Sequence, residues 1–500
     1  MNTLLDNVER ATNTTRTLNN AVTHKSSLIK NLDLSAQAGG LRNTPEAALP
    51  LFQDALFEDP RIAAKNLFHI RDVRGGMGER QIFRICMDWM ARGTEYGKAL
   101  DTNWIFNQLL KHAPHYGRWD DVIRYYPGLT ATTLITEQWK EDTMLLSRDE
   151  PISLLAKWLP SISASNTASK LKAKKLASSL GLTQKQYRKA LGAFRKHIDV
   201  VERRMCAGDW EGITFEHVPS QAMKRLRKAF SRNQTERFGK YIENVTAGET
   251  KIQAGTLTPD QLVKSYMQHG YCLDHRGIDA VIEEQWKALP KWGEPQNLLP
   301  ICDTSGSMYG DPIIIALSLT LYISERNATD LWKNKFITFS SAPEFVQINP
   351  LQTLKDKLCN MAKASWGMST NIEAAMKLIL DAAGDQHDLP DSIVIISDME
   401  FDECSQGDTN FRGMQAEAEE RGLTLPNVVF WNVNAMTKQA PVTYDEGGAA
   451  LVSGRSPAIL KMAFDGNFNP LSFFMDAVVN NPRYDRVELP GIAEDSEYLF

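Results

Sequence analysis

Residues Asp303-Thr304-Ser305-Gly306-Ser307-Met308 place one carboxylate and two hydroxyls at alternate positions of a short run. The run follows the apolar residues Leu298, Leu299 and Ile301 and precedes a long apolar-rich segment, so it belongs in a loop between a buried strand and a helix. Hard cations favour that set of oxygens. Mg2+ takes near-octahedral oxygen coordination, keeps several waters and uses one or two protein carboxylates. A coordination position left open would admit an acidic group from elsewhere. Two further pieces lie downstream. Trp366-Gly367-Met368-Ser369-Thr370-Asn371 opens a helical pattern carried by Ile372, Ala375, Met376, Ile379 and Leu380, which puts Thr370 at or beside the helix N-cap. Residues 391–398 read as a buried strand that ends in Ser397-Asp398. Open α/β sheets collect ligands outside the carboxyl ends of their strands, and Asp303 and Asp398 each end such a strand.

This combination resembles the metal-ion-dependent adhesion site of von Willebrand factor A domains. The resemblance implies Asp303, Ser305, Ser307, Thr370 and Asp398 as the residues that hold Mg2+ or Mn2+. Glu400, Asp402 and Glu403 add carboxylates near Asp398, and a second acid cluster beside the ion is what a metal-dependent nuclease requires. The nine histidines are dispersed. No Ser-His-Asp, Cys-His or zinc-ligand spacing stands out, so no catalytic residue is assigned and a non-enzymatic protein is expected.

The elements that must position these residues are legible. Short buried-strand patterns at 298–302, 334–339, 392–397, 427–433 and 449–453 alternate with helices. That alternation predicts a doubly wound, Rossmann-like parallel sheet over 296–500. Leu-Pro-Lys-Trp-Gly-Glu-Pro-Gln-Asn at 289–297 reads as the linker before it. Residues 44–290 are helical in pattern: Ala47 to Phe52, Ala63 to Ile70, Ile82 to Met90, Trp104 to Leu110 and Leu154 to Leu159, with breaks at Asp59-Pro60, Arg74-Gly75-Gly76-Met77-Gly78 and Tyr126-Pro127-Gly128. Serial helices with short turns predict a HEAT-like solenoid or ring with no clean fixed period. Residues 1–43, polar and rich in Asn and Thr, read as a flexible arm. The fold class is therefore α plus α/β.

Charge divides along the same lines. The chain carries a net charge of −5, yet residues 151–250 hold 19 Lys/Arg against 8 Asp/Glu, a balance of +11, and residues 294–500 hold 14 against 29, a balance of −15. A basic block beside an acidic one points to a nucleic-acid surface and a separate cation-friendly part. Three clusters carry the positive field: Lys170, Lys172, Lys174 and Lys175; Lys185, Arg188, Lys189, Arg195 and Lys196; and Lys224, Arg225, Arg227 and Lys228. Phosphates are the groups such a field attracts. Thr183 followed by Gln186 has the form of a capping box that starts a helix. The glycine- and charge-rich stretch His69 to Arg80 lacks the order of a nucleotide-binding loop and reads as a helix–loop corner with Arg–Asp pairs. Tyr116 to Asp121 reads as a similar corner in which Trp119 packs and Arg118 pairs.

Composition is that of a globular protein, 43% hydrophobic and 23% charged. No apolar run approaches the roughly 20 residues that span a bilayer. The first ten residues lack a basic-then-apolar leader, and the six cysteines are scattered without a CxxC pair. Reduced thiols and a cytoplasmic location are expected.

A helical-repeat half, a basic middle and an A-type C-terminal half resemble the Ro ribonucleoprotein, or TROVE, proteins in architecture. Local strings are similar to a sister family of plant, large-DNA-virus and phage proteins: Ile70-Arg71-Asp72-Val73-Arg74-Gly75-Gly76, Val218-Pro219-Ser220-Gln221-Ala222-Met223-Lys224, Asp303 to Met308, and Val428-Val429-Phe430-Trp431-Asn432-Val433. The resemblance covers about residues 45–490 and implies an RNA-binding scaffold for small structured or misfolded RNA, with a divalent cation in its A-type domain. The alternative is a metal-dependent protein-interaction module whose ion meets a partner's acidic residue, as in adhesion-type domains or those serving AAA+ ATPases. Neither reading involves a membrane.

Overall fold

A computed structural model of the chain describes residues 10–93, 100–273, 275, 277–291, 296–339, 342–363, 369–404, 408–461 and 468–490. Two compact units form, one from Met1–Cys86 with Ala254–Phe500, the other from Met87–Gln253.

The first unit is built on a six-stranded sheet. Its members are β5 (Leu298–Cys302), β6 (Lys335–Thr338), β7 (Phe345–Gln347), β8 (Ser392–Ser397), β9 (Asn427–Asn432) and β10 (Ala449–Ser453), in the order β10-β9-β8-β5-β6-β7. Five strands are parallel, and β7, which the sequence pattern did not suggest, is an antiparallel edge. Parallel strands read as continuous apolar runs because helices cover both faces. Along β8, Val394 and Ile396 enter one core while Ile393 and Ile395 enter the other. The helix Asp311–Glu325 is buried on all sides from Pro312 to Ser324. That explains its unbroken apolar sequence: the sheet lies on one side, and Leu262, Val263, Tyr266, Ile282 and Trp286 join the same core.

This packing departs from the linear division into an arm, a helical domain and a sheet domain. Residues 254–289 complete one sheet layer, and the N-terminal stretch contributes to the other. Thr14–Arg16 (β1) and Val22–His24 (β2) form an antiparallel hairpin that bridges to Asp402, Thr409 and Ala440. Ala21, with Leu32 and Ala36 of the helix Lys30–Ala38, enters the second core. From residue 10 onward the arm is thus integral to the fold, because Ala21, Leu32, Leu34 and Ala36 are buried and its hairpin bridges to the loops of the sheet, while Leu18 stays exposed; residues 1–9 lie outside the described set. A Cβ on Gly39 would come within 2.2 Å of the Gly454 backbone, so only glycine permits this approach between the helix end and the loop after β10. The Arg74–Gly78 corner is locked in the same manner. Asp72 pairs with Arg483 at 2.8 Å, and a Cβ on Gly76 would meet the His69 carbonyl at 2.0 Å.

A short hairpin, β3 (Met267–Gln268) with β4 (Tyr271–Cys272), carries one half of a disulfide between Cys272 and Cys359, whose Cα atoms are 5.2 Å apart. This corrects the expectation of reduced thiols for those two cysteines: strand and helix bring together residues 87 apart in sequence. Cys86 and Cys302 are buried thiols.

The second unit is helical, with described helices from 4 to 19 residues long and no constant repeat length. The Thr183–Gln186 capping box starts the helix Gln184–His197 as the sequence predicts. At the Tyr116–Asp121 corner Trp119 is buried and the Arg118 guanidinium lies 5.1 Å from the Trp158 ring centre. Among the described residues no helix is long and apolar enough to cross a membrane.

Candidate metal centre and basic helices

The order of the sheet decides where a ligand can collect. From β5 the chain passes to β6 on one side and later to β8 on the other, so the loops after β5 and β8 diverge and leave a crevice at their carboxyl ends. Asp303 follows β5 directly and Asp398 follows β8 directly. Both carboxylates are buried, at 0% and 2% exposure.

Asp303 is held at both oxygens. Its Oδ1 accepts the Ser305 amide at 2.9 Å and its Oδ2 accepts the Ser397 hydroxyl at 2.5 Å. The Ser305 and Ser307 hydroxyls lie 3.0 Å apart. Asp398 is held at only one oxygen. Oδ1 accepts the Glu400 amide at 3.2 Å, while buried Oδ2 completes no hydrogen bond among the described residues, although the Ser307 hydroxyl lies close enough to favour its charge. Burial, followed by the charge of Asp303, pushes the Asp398 carboxyl up to about 7. Burial likewise raises Asp303, and the nearby charge of Asp402 adds to it. Two buried like charges facing each other are costly unless a cation or a proton lies between them. The set fits a hard divalent ion: two carboxylates, two adjacent hydroxyls and an unsatisfied oxygen. Among the described residues no group of three or more His, Cys, Asp or Glu side chains is placed to hold a metal ion. The donor set here is instead mixed, carboxylate and hydroxyl.

Thr370 lies one residue before Asn371, the N-cap of the helix Ile372–Ala383. Its Oγ1 is 2.8 Å from the Glu400 carbonyl and 3.1 Å from Asp402 Oδ1, and its amide donates to Asp402 Oδ2 at 2.9 Å. Thr370 is therefore tied to the loop after β8 rather than to the loop after β5. Trp366, Gly367 and Met368 of the same motif lie outside the described residues. The acids considered for a nuclease are already engaged. Glu400 accepts the Leu18 amide at 2.6 Å, Asp402 accepts Ser369 and Thr370, and Glu403 pairs with Arg16 at 3.0 Å. Sequence reading missed Ser397 and the structural part played by Asp402 and Asn19. Ser397 adjoins Asp398 and was open to notice; nothing in the sequence signals Asn19, which comes from the far end of the chain.

The basic residues sort into two groups. In the helix Gln184–His197, Tyr187, Leu191 and Phe194 face the core, with Tyr187 stacked on Trp139 at 5.5 Å. The opposite side presents Lys185, Arg188, Lys189 and Lys196 to solvent, with exposed Gly192 and Ala193 between them. In the helix Thr167–Ser179, Lys170, Lys174 and Lys175 are exposed to solvent. Two of the predicted phosphate ligands turn inward instead. Lys172 Nζ donates to the Ile123 carbonyl at 2.6 Å, and burial lowers its pKa. Arg195 donates to the Ala156 and Leu159 carbonyls and the Ser161 hydroxyl at 2.7–2.9 Å. Their positive groups cap backbone carbonyls inside the unit. In the helix Ser220–Asn233, Arg225 pairs with Glu202 at 2.5 Å, Arg227 donates to the Lys224 carbonyl, Lys224 is half-buried and Lys228 is exposed.

Residues 297–477 match a family described as Domain of unknown function (DUF7788), and residues 129–291 match Domain of unknown function (DUF2828). An uncharacterized protein of Acanthamoeba polyphaga mimivirus is 28% identical over 499 residues, covering 89% of this chain and 85% of that protein. The chain is thus similar to a viral protein along most of its length, and these likenesses assign no activity.

Proposed function

We propose that the chain is a non-enzymatic RNA-binding scaffold of the Ro, or TROVE, type. In this reading the helical unit is a HEAT-like array that contacts phosphates, and the sheet is a von Willebrand factor A domain holding Mg2+ or Mn2+. The observation that carries the RNA reading is the solvent-facing stripe Lys185, Arg188, Lys189 and Lys196 on one helix. Charges at this spacing follow a helix edge for about three turns, and the exposed Gly192 and Ala193 between them leave room for a sugar–phosphate backbone to come close. The rings of this helix, Tyr187 and Phe194, are buried. Without a stacking platform the surface favours the phosphates of structured RNA over unstacked bases. Fluorescence anisotropy with a labelled hairpin RNA, titrated across salt concentrations, tests the proposal. Affinity should fall steeply and linearly on log–log axes as salt rises. Absence of binding at low salt would remove it.

A second reading, a metal-dependent protein-interaction module, is favoured by the unsatisfied Asp398 Oδ2 beside Asp303. A bound divalent ion would neutralise the two carboxylates and offer an open position to a partner's Asp or Glu. Chelation separates the two activities: EDTA should abolish capture of an acidic partner and leave RNA affinity unchanged.

A further inference from the structure

We infer that the tip of the N-terminal hairpin is part of the cation centre, with Asn19 as a positioning residue for Thr370. This rests on the metal reading above and adds to it a group from the opposite end of the chain. Asn19 Nδ2 donates to Thr370 Oγ1 at 3.3 Å and to the Glu400 carbonyl at 2.7 Å. The Thr370 hydroxyl proton has the Glu400 carbonyl and Asp402 Oδ1 within reach, at 2.8 and 3.1 Å. A hydroxyl carries one proton and two lone pairs. With the proton drawn to Glu400 or Asp402 and one lone pair taken by Asn19, a single lone pair remains for a cation. Asn19 thereby fixes the rotor of a neutral ligand whose only contribution is a correctly aimed lone pair.

The rest of the tip holds the loop that Asp398 begins. The Leu18 amide donates to Glu400 Oε2 at 2.6 Å, the Thr17 hydroxyl to the Phe401 carbonyl at 2.8 Å, and Asn20 Nδ2 to Glu403 Oε2 at 2.5 Å. The Glu403 amide returns a bond to the Asn19 carbonyl at 3.3 Å. Each residue from Glu400 to Glu403 therefore meets the hairpin, Asp402 through its bridge to Asn20. Groups one shell out from a metal orient its ligands, and their loss typically costs about 10–100-fold in affinity.

The test compares full-length Asn19→Ala with full-length Lys25→Ala, because the Lys25 ammonium donates to the Thr12 carbonyl within the N-terminal segment rather than to the loop after β8. Calorimetric titration with MnCl2 should show about tenfold or greater weakening in Asn19→Ala and wild-type affinity in Lys25→Ala. Circular dichroism should show both variants folded at the titration temperature. Asn19→Asp, which keeps the shape but loses the amide donor, should not restore wild-type Mn2+ affinity. Wild-type affinity in Asn19→Ala would overturn the inference, as would equal weakening in Lys25→Ala, which would reduce the hairpin to general support. A wild-type protein that binds no Mn2+ would overturn the cation reading itself, and with it this inference.

Discussion

The Ser397 hydroxyl donates to Asp303 Oδ2 at 2.5 Å across the two central strands of the sheet. Strand β8 thus ends in the donor that steadies the opposing carboxylate after β5 and leads directly into the second carboxylate, Asp398. One strand holds the two halves of the crevice in register, and the consequences of altering either partner differ in sign.

Ser397→Ala leaves a buried carboxylate oxygen without its donor and should lower stability by about 1–3 kcal/mol. Asp303→Asn removes one of two facing charges, so the metal-free protein should be as stable as wild type or more so. The rise in melting temperature with excess MgCl2 should disappear in Asp303→Asn. Scanning calorimetry with and without MgCl2 reads all three effects, and an unchanged Mg2+ increment in Asp303→Asn would remove Asp303 from the cation site.

Exposed and buried lysines should behave differently. Replacing Lys174, Lys175, Lys185 or Lys189 by Glu should weaken RNA binding to a similar extent whatever the RNA sequence, and should reduce the log–log salt slope by roughly one for each phosphate left unneutralised. Lys172→Glu should act on stability instead, because its ammonium caps the Ile123 carbonyl inside the unit. Arg195→Ala, which loses three hydrogen bonds, should cost about 2–4 kcal/mol. Urea unfolding alongside RNA titration distinguishes the two classes.

The sheet should not fold well from residues 296–500 alone. That fragment bares the outer side of the helix Asp311–Glu325, which Leu262, Val263, Tyr266, Ile282 and Trp286 otherwise cover. A fragment of residues 254–500 should unfold more cooperatively and bind less hydrophobic dye. In the full chain, Gly39→Ala should be strongly destabilising, since its methyl group would collide with the Gly454 backbone. A cooperative, dye-free 296–500 fragment would show that the added layers are dispensable.

His69 gives stability a pH dependence. It is fully buried, its Nδ1 lies 3.1 Å from the Tyr484 hydroxyl, and burial lowers its pKa from 6.5 to about 4. The unfolded chain therefore takes up the proton first. This contribution is complete above pH 6.5 and is lost as pH falls toward 4, amounting to about 2 kcal/mol between pH 7 and pH 5. Urea midpoints at these two values should differ less in His69→Gln than in wild type. Equal differences would mean that His69 takes up its proton at the same pH in the folded and the unfolded chain.

The sequence by itself determined the local elements: five strands whose apolar runs must be buried on both faces, the Thr183 cap, and the DxSxS run and Asp398 at strand ends, where a parallel sheet gathers ligands. These signals are local, since periodicity and strand-terminal position need no partner to be recognised. Tertiary structure alone decided which residues complete each layer. Residues 10–38 and 254–289 join the sheet because it must be covered on both faces, and their sparse apolar residues carry no label naming their destination. The same holds for single charges: Lys172 and Lys174 are two positions apart in one helix, yet one caps a carbonyl and the other meets solvent. Asn19 and Thr370 are brought together by the pairing of the β1–β2 hairpin with the loop after β8, a long-range approach that no spacing along the chain encodes.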